Sequence, residues 1–548
     1  MMTGPQTVLY ARTIHTLAQE HPASALGITD GRISHVGTRE QAQGWIADGT
    51  TVIDYGEAAI TPGLVDAHIH PVFGQSVARG VFLGDARTLD EAKRLIAGHA
   101  QACAPGDVVL GHGLNVAIFG TAEPSGQFLD EAAPGRASYA TCFDAHSAVA
   151  SSAMLERAGI DGSECFADGS SVVVDSDGRP TGFLREFAAM ALAEKALPVL
   201  GIDDKVEAVY RLLREMAASG LTGGEMLDLA DPDSLEIFRR MELRGELPIK
   251  LRIAPWIMAS DPAETLDQLI ALQSERGRRW QVRGAKLMID GTVDNGTAWL
   301  YEPDTEGEST ESLYRDPSRY VANLRTLAQA GVTTTTHAIG DQGIGFVISA
   351  IASLPRNGLR HRIEHLEELN DEDFARLKAS GATISMQPTH CTHFVRADGS
   401  DAWSRRLGQH RASFAYRLRD VKDAGMVLAL GSDWPIAPFD PRLIMADAQT
   451  RRRTEVPGSD SVQPRHRLSA REALEGYTVN VYESTGATGG RLETGMPADL
   501  TIFAADPLSV SPEELGTLAV LGTYVDGRLV DLGAELRSVD AQPASAGQ

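Results

Sequence analysis

The 548-residue chain is poor in cysteine: it has four, and no two of them form a C-x-x-C pair. So few thiols over that length cannot build a disulfide framework, and a reducing compartment is the expected setting. Long apolar runs are missing too. Nothing approaches the roughly 20 consecutive apolar residues of a membrane-spanning helix, and the start lacks the basic-then-apolar pattern of a secretory leader. A cytoplasmic location is therefore expected. Basic residues are in deficit, 50 Lys plus Arg against 74 Asp plus Glu, for a formal charge of −24. That sign repels phosphate backbones and anionic membrane surfaces, so neither nucleic acid nor membrane is an expected partner. What remains is the composition of a folded globular chain, 43% hydrophobic and 23% charged, with 15 histidines.

Residues 1–60 read as short strands broken by turn signals such as Asp30-Gly31, and similar patterning returns only near the end, in Ala498–Phe503 and Val520–Val530. Each fragment is too short to close a sheet comfortably, so 1–60 and 490–535 are expected to form one composite β-sandwich. Between them, short apolar runs alternate with helix-like stretches, as in repeated βα units. Eight candidate strands stand out: Leu64–Ile69, Leu221–Leu227, Ile249–Ile257, Gly284–Ile289, Val332–His337, His361–His365, Thr383–Gln387 and Val427–Gly431. They match an α/β class with a (β/α)8 TIM barrel over 61–489, which needs about 250 residues. The surplus, 75–219, follows the first strand, on the side where barrel active sites are built, and reads as an inserted lid or specificity subdomain. The small, polar tail 536–548 is expected to be flexible.

The segment Thr61-Pro-Gly-Leu-Val-Asp-Ala-His68-Ile-His70 places two imidazoles at i and i+2 of a strand end, where both point to one side and reach one cation. Alone, H-x-H is a weak signal. His337, His365 and Asp433 strengthen it, because each ends a separate candidate strand and a barrel gathers such ends at one mouth. Nitrogen and carboxylate donors suit zinc best, with manganese or iron open. Lys286 lies among apolar strand residues. It is either ion-paired or snorkelling, or a buried amine that captures carbon dioxide as a carbamate bridging two cations.

The ordered series Thr61–His70, Lys286-Leu-Met-Ile-Asp-Gly291, Thr336-His-Ala-Ile-Gly-Asp341, Arg362-Ile-Glu-His365, Ser385-Met-Gln-Pro388, Gly431-Ser-Asp-Trp-Pro435 and Gly495-Met-Pro-Ala-Asp499 resembles the amidohydrolase superfamily, specifically its amidohydrolase 3 group of YtcJ-like and N-substituted formamide deformylase-like proteins. The resemblance spans nearly the whole chain. It implies a distorted (β/α)8 TIM barrel with a terminal β-sandwich. It also implies two metal ions, zinc first among the candidates: His68, His70 and Asp433 on the first, His337 and His365 on the second, and carboxylated Lys286 as the bridge. The insertion departs from the family pattern, with Gly113-Leu-Asn115 where relatives carry Gly-Trp-Asp and Ser151 where they carry asparagine.

The expected chemistry is hydrolysis of a linear N-acyl or N-formyl amine by metal-activated hydroxide, with Asp433 as general base and then acid. Deamination or cyclic-amide opening is the alternative on the same barrel, and a metal-free, non-catalytic scaffold the third. Substrate contacts are sought at Asp144, His146, Glu186, Gln387, His390 and Trp434. Glu186 reads as a metal or substrate contact or, the slightly preferred reading, as an exposed helix-start glutamate, and Arg451-Arg-Arg453 as a solvated helix end. Asp290 and Asp341 are candidate orienters of Lys286 and His337, and Trp299 a candidate pocket wall. The oligomeric state is left open, a homodimer among the options.

Overall fold

A computed structural model describes residues 4–19, 21–120 and 122–532; the tail 536–548 lies outside the described residues. Strands β1 (Thr7–Ile14), β2 (Ala23–Thr29), β3 (Arg32–Gly37), β4 (Thr51–Asp54) and β5 (Ala59–Pro62) open the chain, and β6 (Leu64–Ile69) follows at once. The insertion holds β7 (Val81–Phe82), β8 (Val109–Leu114), β9 (Ser138–Cys142), β10 (Ser147–Ala150), β11 (Ser171–Val174) and β12 (Pro180–Arg185). Then come β13 (Leu221–Met226), β14 (Lys250–Ile253), β15 (Trp280–Val282), β16 (Ala285–Met288), β17 (Thr334–Ala338), β18 (Arg362–His365), β19 (Thr383–Met386) and β20 (Leu428–Leu430). Strands β21 (Leu500–Phe503), β22 (Val520–Val525) and β23 (Arg528–Leu529) end the described chain.

Strands from both ends of the chain share one sheet, in the order β23-β22-β21-β5-β1-β2-β3. It branches at β1, whose first half pairs with β4 and whose last residues pair with β5. The pairing is therefore a single branched sheet, with Leu9, Ile14, Leu26, Ile60, Leu500 and Ile502 buried in one cluster. The insertion forms its own six-stranded sheet, β11-β12-β10-β9-β8-β7.

All eight expected strands form, in two parallel sheets: β15-β14-β13-β6 and β16-β17-β18-β19-β20. Short parallel bridges join the sheets at both edges, Ile69 to Trp434 and Trp256 to Lys286. Strand β15 was not expected. It is three residues long and sits between charged residues, so its apolar signal is too short to read. Helices fill the connections as amphipathic spacing requires: Ile202–Ala218 buries Val206, Val209, Leu213 and Met216 and leaves Tyr210 half-buried. Each such buried aliphatic side chain contributes about 1.5–3 kcal/mol, and together they hold the strand ends in register. Among the described residues no helix is long and apolar enough to cross a membrane.

Candidate metal centre

The parallel strands start in apolar packing and end in polar side chains, so their carboxyl ends collect the chemistry. His68, His70, Lys286, His337, His365 and Asp433 all line one cavity of about 30 Å³. Asp433 is the hub: its Oδ1 lies 3.0 Å from His70 Nε2 and 3.3 Å from His68 Nε2, and its Oδ2 lies 4.0 Å from His365 Nδ1. Lys286 Nζ donates to His68 Nε2 at 3.4 Å. The rings of His337 and His365 are 4.4 Å apart. His365 and Asp433 take φ values of 73° and 58°, the left-handed region, a local cost that recurs at functional sites.

The far nitrogen of each first-strand histidine is held by a carboxylate. His68 Nδ1 donates to Glu364 Oε2 and His70 Nδ1 to Asp228 Oδ2, both at 2.9 Å. A carboxylate accepts only, so these bonds fix the tautomer and turn each Nε2 toward the cavity. Glu364 is steadied in turn by Arg362, fully buried, whose Nε donates to Oε1 at 2.5 Å while its other nitrogens reach Ser484 Oγ and Ala67 O. His337 is held differently: its Nε2 donates to Gly291 O at 3.1 Å, leaving Nδ1 for the cavity. Asp66 accepts from the backbone of His68 and Ser432, tying two ligand-bearing segments together.

Burial acts on every charge here. It pulls His68, His337 and His365 well below the usual imidazole range, reinforced by Lys286 and neighbouring histidines. Their lone pairs are therefore available. Burial also lowers Lys286 to about 8, against the pull of Glu364 and Asp433. His70 is the exception: burial opposes its charge, but hydrogen bonds to Asp228 and Asp433 outweigh that and raise it to about 9. For Asp433, burial raises and the His70 bond and charge lower, with a net downward shift. The His70 ring lies between two carboxylates, Asp228 on Nδ1 and Asp433 on Nε2.

The donor set fits a borderline divalent cation. Ligand atoms of His68, His70 and Asp433 lie within 4.8 Å of one another, and so do those of His365, His390 and Asp433. The buried Nδ1 of His365 and Nε2 of His390 have no hydrogen-bond partner. This second group contains His390 where His337 was expected. His390 stacks on His365 at 5.8 Å and stands 3.7 Å from Asp433 Oδ2.

The insertion contributes from across the cavity. His146 is 5.0 Å from the His337 ring, and its Nδ1 donates to Glu186 Oε2 at 2.9 Å. Glu186 is thus not an exposed helix-start residue: it is 1% exposed and devoted to His146, because the β10–β12 pairing turns it inward. Asp144 accepts from Thr292 Oγ1 at 2.8 Å and from the Asn295 amide, tying the insertion to the loop after β16. Of the other expected contacts, His390 stands beside His365 and Asp433, and Gln387 and Trp434 sit behind the residues of the wall. Gln387 Nε2 approaches His68 Nδ1 at 3.4 Å from behind, and the Trp434 ring packs on Phe439 and the bare backbone of Gly74, leaving Pro435 and Ile436 at the wall. Asp341 accepts from the Tyr301 and Gln342 amides and does not orient His337. Asp290 stands nearest that ring, 3.9 Å from Nε2, and accepts from Ile339, Gly340 and Trp299 amides. Trp299 packs in the core against Phe346. Arg451 is fully buried, donating through Nε to Val462 O, so it is no solvated helix end.

Three aromatic wall residues were missed: Phe73, Phe187 and Trp256, mutually 5.2–6.4 Å apart, with Trp256 5.8 Å from His70. Asp228 and Glu364 were missed too. Both stand at the ends of expected strands, as the ligands do, and that position was the available signal.

The chain matches the family model described as "Amidohydrolase family" over residues 51–531. It belongs to this amidohydrolase family. Membership makes the protein a hydrolase of carbon–nitrogen bonds. The amidohydrolase is 27% identical to protein LONG AFTER FAR-RED 3 of Arabidopsis thaliana over 94% of this chain and 90% of that one. It is 26% identical to the N-substituted formamide deformylase of Arthrobacter pascens over 93% and 95%. Among solved structures, an uncharacterized metal-dependent hydrolase from Pyrococcus horikoshii superposes with a TM-score of 0.71 at 23% identity, covering 92% of this chain and 99% of that one. The fold is thus shared with that hydrolase.

Proposed function

We propose that this amidohydrolase is a metal-dependent hydrolase of neutral, linear N-acyl or N-formyl amines. The observation that carries the reading is the convergence on one small cavity of six side chains, with the far nitrogens of His68 and His70 anchored by carboxylates. In this reading the two parallel sheets are one distorted (β/α)8 barrel over 61–489, the terminal sheet over 1–60 and 490–535 is its β-sandwich companion, and 75–219 is a specificity subdomain. The four free cysteines support a reducing compartment, the cytoplasm.

His68, His70 and Asp433 would hold one cation and His337 and His365 a second, zinc by donor type. Lys286, lowered to about 8, offers a neutral amine able to add carbon dioxide as a bridging carbamate. Bound cations supply an acidified water and a polarised carbonyl. Asp433 accepts the proton as water oxygen bonds to the carbonyl carbon, then returns it to the nitrogen as the C–N bond breaks, giving carboxylic acid and amine. Burial opposes the charge of His146, but Glu186 and Asp144 outweigh it and raise the imidazole above its usual range, so the doubly protonated ring faces the centre and donates through Nε2 toward the carbonyl oxygen.

The walls narrow the substrate. Phe73, Phe187 and Trp256 suit an apolar substituent, and Lys286 is the sole basic Lys or Arg on the described lining, so no free cation awaits a substrate carboxylate. Metal-loaded enzyme given N-formyl and N-acetyl amines, N-acylamino acids, aminopurines and cytosines should release amine from the neutral amides above all. Turnover confined to the nucleobases would replace this reading with deamination.

A further inference from the structure

A second cavity, of about 270 Å³, lies apart from the metal centre, between β6, β13, β14, β15 and the helix Val479–Ser484. Its size is close to the lower bound of small-ligand pockets, about 300 Å³. In a chain of charge −24 its lining gathers Lys250, Arg252, Arg276, Arg278 and Arg279 against a single carboxylate, Glu225. Some of these cations are already committed: Lys250 to Asp499 and Asp526, and Arg279 to Glu246 and Asp526. Others are not. The Arg276 side chain has no hydrogen bond or ion pair among the described residues.

One buried donor on the same lining, Trp280 Nε1, has no acceptor, and Trp280 is only 3% exposed. The adjacent Glu242 Oε1 is taken by the Arg278 and Arg279 amides at 2.6 and 3.3 Å. No acceptor on the lining is left buried and unpartnered. An all-donor deficit calls for a ligand that brings acceptors. The apolar sides of Leu251, Trp280 and Tyr482 call for a hydrophobic body.

We propose that this cavity is a second ligand site, taking a small organic monocarboxylate whose oxygens meet Arg276 and Trp280 Nε1 and whose apolar body lies against Leu251 and Tyr482. Amide hydrolysis releases that same chemical class; this link rests on the proposed function, whereas the site does not.

Benzoate titrated calorimetrically into the full-length, metal-loaded protein at constant ionic strength tests it, with neutral benzamide as control. Benzoate should bind, and benzamide should not. Binding should survive Asp433→Asn, which alters the metal centre. It should weaken about tenfold or more in Arg276→Glu, and measurably in the milder Arg276→Gln, as loss of a charge-assisted contact requires. The site is overturned if benzoate gives no binding, if benzamide binds as tightly, or if binding disappears in Asp433→Asn while persisting in both Arg276 variants. Failure of the amide-hydrolase reading would register separately, as absent amine release.

Discussion

The strand-end histidines and the histidine of the insertion are held by the same device, an Nδ1–carboxylate bond of 2.9 Å, yet in different surroundings. Behind His68 stand Glu364, then Arg362, then the Ser484 hydroxyl and the Ala67 carbonyl, all buried and drawn from three parts of the chain. Behind His146 stands Glu186 alone, one of whose carboxylate oxygens has no partner, on an insertion with its own sheet. The core centre is over-determined and the insertion's side of the cavity is not. A fixed hydrolytic centre can thus face a wall that changes independently.

The largest effect expected from breaking this arrangement is on the hub. Asp433→Asn keeps the shape but not the basic oxygen, and turnover should fall by about 10³-fold or more, with bound metal and the melting transition confirmed. Full activity there would end the assignment of Asp433 as proton carrier. Glu364→Gln should weaken metal binding about 10–100-fold, read by competition with a chelator. His146→Gln should leave metal content unchanged and cut kcat by about 10- to 100-fold; an equal loss of metal would mean that both regions serve the cation and the contrast would collapse. Phe187→Ala should raise KM for amides with apolar substituents by about tenfold, the cost of losing an aromatic wall, with little change for N-methyl substrates.

The smallest effect tests the other end of a ligand strand. His361 precedes β18, bonded to Thr334 Oγ1 at 2.8 Å, and burial lowers it to about 4 from an ordinary 6.5. Above 6.5 both folded and unfolded forms are neutral there. As pH falls from 6.5 toward 4 the unfolded chain binds the proton and the fold does not, so stability is lost across that window. His361→Gln should remove a slope of at most about 1.4 kcal/mol per pH unit, seen in denaturant titrations.

The eight parallel strands were legible because each joins a short apolar run to a polar end, and five of the six ligand candidates because they sit at or just past those ends; Lys286, inside β16, was singled out by its charge among apolar neighbours. Asp228 and Glu364 sit there equally, but what they touch depends on register between strands far apart in sequence. Glu364 lies beside His365 in the chain and yet serves His68. Glu186 and Arg451 were read as exposed because polarity predicts surface on average; a buried partner, Glu186 to His146, or a carbonyl, Val462 to Arg451, overrides it locally. The facing of Trp434, whose ring packs on Gly74, was not legible, since an irregular loop carries no period from which to infer it.

Strand β21 pairs with β5, which leads directly into the strand bearing His68 and His70, and Thr501 Oγ1 accepts from Leu64 N although the two residues are 437 positions apart. During synthesis the first five strands must therefore wait for nearly the whole described chain before their sheet can close. Closing so long a loop adds little to its equilibrium cost, which grows only logarithmically with length, but it delays the event. Thr501 Oγ1 also donates to Gly220 O at the entrance to β13. Shortening the nascent chain before β21 would leave β6, the strand that carries His68, unbraced at its base.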